Sequence, residues 1–580
     1  MKRNKLLALS LTALMAISAL SGCGGNGAEA PAPSEVAPSE AAPSAEAPAD
    51  KAPETPSDAI DEVQYFNDYL NSEPATLDPG KAADEYANGI LNNIMEKLTV
   101  YQVNADGEAE ISPAGAESWD ISPDNTVYTF KLRENYWQDG QKVTAQDYEY
   151  GIKRSIDPAT GSPNSYLLTP IKNAEAVMAG EMGVDELGVK AIDENTLEIT
   201  LGAPTPYFLS LTYQNNMSPV RKDIIEAQGD KFGSEADTIL SNGPFVLSSW
   251  THNSELNLVR NDKFWNKDNI KLEKVNIKIL DDDNARHNSF DNGSIDAVAT
   301  TIEEWVDRFD KKDGTYRIDY TLTSNYYSFF NTQDELFKNA NIRKAFIVAL
   351  DRDMFNEVLF SGYSEPAYGW VPKGVAVDAT EYRSVAEEPL KKLIEENPDP
   401  KALLLKGMEE LGLGDDPSTL KVVWSLGGTS QRMRTMGEFF QQILKQNLGV
   451  NLEIELNDWP MFQSKIVSGD FQIGYMSWGA EYNDPYSMLS LLISTSNAIN
   501  TGWVNEEYDK LMAQASVEMY DAKRIELYQE AENLMLYEEG VVNPVIYPKR
   551  ISYAYDYVKN MADRPLLTQG YRNLYTQGRP

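Results

Sequence analysis

The chain has 580 residues, with 51 Lys and Arg against 89 Asp and Glu and a formal net charge of −38. That balance sets it against nucleic acid and anionic lipid surfaces, both of which would repel it. One cysteine and two histidines, His252 and His287, exclude an intramolecular disulfide and a multi-histidine or cysteine-based metal site. A histidine-dependent triad is barely possible, and no cofactor is expected.

In chain order, Lys2, Arg3 and Lys5 precede or border an apolar and small-residue run from Leu6 to Leu20. A charged start followed by a short apolar segment makes a secretory leader. The run is shorter than the ~20 residues a spanning helix needs. It ends in Leu20-Ser21-Gly22-Cys23, which resembles the bacterial lipobox. That resemblance implies a signal peptide over 1–22, a lipidated Cys23, and an extracytoplasmic protein held on the cell membrane by several acyl tails. Residues 23–60 are rich in Ala, Pro, Glu and Ser, too poor in large apolar side chains to offset ordering, and read as a disordered tether.

The body beyond residue 60 exceeds one ordinary core, so several domains are expected. Tyr128, Phe130 and Leu132 alternate with polar neighbours as a strand, and Asp139-Gly140 supports a turn. Thr144 to Asp147 resembles a capping box opening a helix toward Arg154. Val275, Ile277 and Ile279 alternate as a strand, and Asn341 to Phe360 reads as one helix. From Met433 onward the order is helix, strand (Val450 to Leu456), helix (Trp459 to Ser468) and strand (Phe471 to Ser477). This suggests an open α/β sheet, whose ligands collect at the carboxyl ends of strands. The segment WGAEYNDP, Trp478 to Pro485, follows such an end.

Several blocks together resemble the extracytoplasmic solute-binding proteins of peptide and nickel ABC transporters, the oligopeptide-binding, OppA-like group. The blocks are Ala116 to Arg154, SNGPFVLSSW from Ser241, Phe329 to Asp353, LGVNLEIELNDW from Leu448, and WGAEYNDP. The resemblance implies a two-lobed, periplasmic-binding-protein-like α/β fold of class II, with three domains and mixed sheets flanked by helices. Domain I would take 61–100, 214–320 and 546–580, domain II 101–213, and domain III 321–545. It implies a monomeric receptor, not an enzyme, that encloses an oligopeptide by hinge closure and passes it to a permease driven by separate ATPase subunits.

In peptide-binding members, WGAEYNDP usually carries Asp where this chain has Glu481, and that carboxylate receives the peptide's α-ammonium group. The resemblance adds Trp459, Trp478, Gly479, Tyr326 and Tyr327 as ligand-binding positions and assigns no catalytic or metal residue. Where some members place cations for a short peptide's C-terminus, this chain has Met433, Ile466 and Tyr475, with Arg432 and Arg434 flanking the first. Two alternatives stay open. One is the same receptor taking an oligosaccharide or metal chelate, which Trp-rich clefts also suit. The other is a secreted hydrolase using paired carboxylates, with Asp281-Asp282-Asp283 the conspicuous cluster.

Overall fold

The computed structural model describes residues 59–104, 106–496, 498–562 and 564–580. Cys23, the leader and the tether up to residue 58 lie outside the described residues. Strand β1 (Tyr65–Leu70) opens a sheet that the chain leaves at once. It next builds a separate antiparallel sheet from β2 (Ala116–Ile121), β3 (Val127–Leu132), β4 (Val189–Asp193) and β5 (Thr196–Thr200), ordered β2-β3-β5-β4. On β3, Tyr128, Phe130 and Leu132 are buried, the face that the alternation predicts. Helix α1 (Ala145–Ile156) packs beside it behind a capping box of Thr144 and Asp147.

The chain then returns with β6 (Phe245–Thr251), β7 (Glu255–Arg260) and β8 (Lys274–Ile279), completing the first sheet as β1-β8-β7-β6. One apolar core serves both sheets, running from Phe66 through Phe130 and Ile277 to Leu574. Residues far along the chain close this body. Arg579 pairs with the buried Asp296 at 2.7 Å, and Gln64 exchanges hydrogen bonds with the Thr576 backbone at 2.8 and 2.9 Å.

The C-terminal half has its own core around one large mixed sheet. Its strands are β9 (Ser324–Phe330), β10 (Val422–Gly427), β11 (Leu452–Asn457), β12 (Ile473–Gly479) and β13 (Val542–Tyr547). With a short edge strand at Glu365–Pro366, the order is edge-β13-β9-β12-β10-β11. β10 runs parallel to both β11 and β12, while β9 is antiparallel to β12 and β13.

Two expectations need correction. The span Asn341–Phe360 is two helices, α2 (Ala340–Val348) and α3 (Arg352–Phe360). The cause is Asp351, whose extended backbone stops the first helix and whose carboxylate accepts from Met354 N at 2.9 Å to start the second. The last strand lies two residues later than read, because its pairing with β9 continues to Gly479 opposite Ser324.

The two histidines sit in opposite surroundings. His252 lies between Glu73 (2.5 Å) and Glu235 (3.2 Å), whose hydrogen bonds hold its imidazole above the usual range. His287 is buried against Trp305 and Phe309, and burial, aided by the Arg286 charge, pushes it down. A raised folded value means that His252 contributes stability below its unfolded pKa, lost as pH rises through the folded one. His287 has the reverse sign: its neutral form is the folded form, so acid below the unfolded value weakens the fold. Two-dimensional NMR of the imidazoles should show two titrations on opposite sides of about 6.5. A shared midpoint would contradict both environments.

Candidate functional site

β10, β11 and β12 point their carboxyl ends the same way, at Gly427, Asn457 and Gly479. The chain goes from β10 to β11 on one side and back past β10 to β12 on the other, which makes this edge a topological switch point. The intervening helices cover opposite faces. α4 (Gln431–Leu448) lays Phe440 on Trp424, ring centroids 3.9 Å apart. α5 (Trp459–Ser468) brings Trp459 and Phe462 against Gly427. A Cβ on Gly427 would come within 2.9 Å of the Trp459 ring, so the missing side chain is what seats this tryptophan. Trp459 opens the helix behind its N-cap Asp458, which accepts from Met461 N, and it is 48% exposed and stacked on Phe462.

Past β12 the chain crosses between two cores within three residues. Ala480 is buried in the C-terminal core and Tyr482 in the N-terminal one, with Glu481 between them. Backbone bonds fix the crossing: Ala480 N donates to Thr323 O (2.7 Å) and Glu481 N to Ser487 Oγ (2.8 Å). Gln214 Nε2 donates to Glu481 O at 2.7 Å, and the Tyr166 hydroxyl donates to Glu481 Oε1. Burial raises the Glu481 carboxyl above the usual carboxylate range, and the Tyr166 hydrogen bond offsets part of that.

The following residues lock the loop. Tyr482 and Tyr486 both stack on Tyr207, at 5.2 and 5.1 Å. Asn483 accepts from Ala376 N (2.8 Å) and donates to Tyr101 Oη (3.2 Å). Asp484 is buried, paired with Arg524 and accepting from Tyr528 Oη at 2.8 Å. A lone glutamate leaving a strand is thus placed by neighbours that are all committed to packing or pairing.

Of the predicted ligand positions, the structure gathers Glu481, Trp478, Gly479 and Trp459 at this edge. Gly479 has room beside it, since a Cβ would meet Ser324 Cβ only at 3.5 Å. Trp478 is half-buried against the C-terminal core. Tyr326 and Tyr327 cannot serve together, because neighbours on a strand face opposite sides. Tyr326 is half-buried and stacked on Tyr475 (6.1 Å), whereas Tyr327 is wholly buried edge-on to Trp370 (4.7 Å). Tyr327 presents no surface to a ligand and is a core residue in this arrangement. Ile466 and Tyr475 are buried as well, while the exposed Arg432 lies 4.6 Å over the Phe360 ring.

Two of the three clustered acids serve local structure: Asp282 caps a helix through Ala285 N (2.7 Å) and Asp283 pairs with Arg286. A separate cavity of about 690 Å³, lined by Asn104, Lys271 and Arg564 among others, shares no residue with the Glu481 group. Sequence reading missed Tyr166, Gln214 and Tyr207. They lie more than 260 residues from the loop they touch, and nothing local marks Gln214, or the other two among the chain's 31 tyrosines.

Comparison with known proteins sets this geometry in a family. The family of bacterial extracellular solute-binding proteins, family 5 (middle region), matches residues 110–500. The oligopeptide-binding protein OppA of Bacillus subtilis is 33% identical over 82% of this chain and 86% of its own length. The dipeptide-binding protein DppE of the same organism is 34% identical over 89% and 91%. Among solved structures, the substrate-binding domain of an oligopeptide ABC transporter from Bacillus anthracis shares 30% identity, covering 89% of this chain and 99% of its own, with a TM-score of 0.74. Listeria monocytogenes OppA bound to peptide shares 28% identity with the same coverage and TM-score. The fold is therefore the expected periplasmic-binding-protein-like α/β type, with mixed sheets flanked by helices. The chain belongs to the bacterial extracellular solute-binding proteins, family 5.

Proposed function

We propose that this protein is the substrate-binding lipoprotein of an ABC importer, capturing oligopeptides between two lobes. The observation that carries the reading is the Glu481 carboxylate, set at the seam between two cores at a strand-end switch point. A free amino terminus is the one charge that every peptide shares, so a single fixed carboxylate holds varied sequences in register. Relatives named as oligopeptide- and dipeptide-binding proteins support this ligand class. Trp459 and Trp478 would flank the peptide, whose main chain would bond backbone groups as an added strand.

Three domains would make up the lobes, domain I from 61–100, 214–320 and 546–580, domain II from 101–213 and domain III from 321–545, and the separate sheets are consistent with that division. Closure of the lobes on ligand is the whole mechanism, with no reaction catalysed. Cys23 would carry the lipid anchor, and the loaded monomer would deliver to a permease with separate ATPase subunits. Mass spectrometry of small molecules released by denaturing the purified full-length protein tests the ligand class. A ladder of peptides supports the reading. A sugar or a single chelate keeps the receptor and retires the ammonium anchor.

A further inference from the structure

The proposed anchor is also a point where two parts of the chain hold each other. Segment 481–486 meets the N-terminal half of the fold, at residues between Tyr101 and Gln214, through protein groups on both sides. The contacts are Tyr166 on Glu481 Oε1, Gln214 on the Glu481 carbonyl, Asn483 on Tyr101, and Tyr207 stacked on Tyr482 and Tyr486. Such contacts favour closure whatever lies in the cleft. Among them only Tyr166 uses the carboxylate itself, and no described residue donates to its other oxygen, Oε2.

Length at position 481 decides whether this bond exists. An aspartate would draw the carboxylate back by about 1.5 Å, one carbon–carbon bond, out of reach of the phenol. Tyr166 sits on a short 3-10 turn, Ser165–Leu168, anchored by buried Leu167 and Leu168, so it is poorly placed to follow.

We propose that Tyr166 is a latch residue that couples the ligand anchor to lobe closure. Through Glu481 it populates a closed conformer with protein contacts alone, and an arriving cation shares the carboxylate with the phenol through Oε2. The sharing half rests on the ammonium reading of Glu481; the closure half stands without it. The latch also sets specificity. A primary ammonium with three small donors fits beside the phenol, whereas a bulky N-substituted amine must break the bond to reach the carboxylate.

The test places spin labels at the exposed positions Glu181→Cys and Glu409→Cys in the full-length chain carrying Cys23→Ser, freed of ligand by unfolding and refolding. Pulsed dipolar spectroscopy then reads the distance between the two bodies. The expected result is a short-distance population without added peptide. Its ratio to the long-distance population should fall about tenfold or more in Tyr166→Phe and in Glu481→Asp. Glu481→Gln, which keeps the length and an acceptor, should fall less. A long distance only in the parent protein, or a short one unchanged in Tyr166→Phe, overturns the latch. Binding of free against N-acetylated peptide is measured separately on the same variants. Equal binding of the two would sink the ammonium anchor while leaving the closure result readable.

Discussion

Glu481→Gln is expected to weaken binding of a peptide with a free amino terminus by on the order of 100-fold or more, and N-acetylating the peptide should do the same to the parent protein. The reason is the cost of leaving an ammonium without its counter-charge in a closed site, about 3–5 kcal/mol. The amide keeps the length of Glu481 and an oxygen for Tyr166, so the loss reads charge rather than shape. Combining substitution and acetylation should cost little more than either alone, which isothermal titration would show. Additive losses would place the ammonium elsewhere. Because burial raises the Glu481 carboxyl, its charge is lost as pH falls at a higher pH than for an ordinary carboxylate, and affinity should fall with it.

The second large effect concerns stability. Asp484→Ala should destabilise the protein by about 3–5 kcal/mol, read as an earlier midpoint in urea. Asp484 and Arg524 each have side chains only 3% exposed, and the substitution leaves the guanidinium buried beside Tyr528 with its main partner gone. Asp521 also touches Arg524, at 3.2 Å, but is 47% exposed. Asp521→Ala should therefore cost no more than about 1 kcal/mol. Similar midpoints for the two variants would mean that solvent reaches the pair. The same variant reports on the site, since Asp484 fixes the turn that presents Glu481.

The legible parts of the fold were those decided locally. The alternation of β3, the capping box of α1 and the order from α4 to β12 follow from side-chain period and cap chemistry within a few residues. The break at Asp351 escaped notice because the apolar pattern runs straight through it, and only the cap bond to Met354 N reveals the stop. Glu481 was legible through its motif. Its environment was not: Tyr166, Tyr207 and Gln214 reach it from across the fold, and a sequence records no such distance. Tyr327 shows the converse. The resemblance names it beside Tyr326, but alternation along β9 turns the two to opposite sides, and Tyr327 is the one in the core.

The interrupted first sheet has a bearing on how the chain is made. β1 lies beside β8, some two hundred residues later, and Asp296 in the same body waits for Arg579, 283 residues further on. A nascent chain exporting from its amino end holds β1 as an orphan edge until about half of the sequence has crossed, and Asp296 without its guanidinium partner until nearly all of it has. The sheet β2-β3-β5-β4 needs no strand from beyond residue 200, so its ladder can form during that wait, while the apolar core that it shares with the first sheet stays incomplete. Topology therefore orders the ladders, the inner one first, and leaves the shared core to be completed when the outer sheet and the chain's end arrive. A translocation pause before residue 579 would leave that shared core uncovered and open to proteases on the far side.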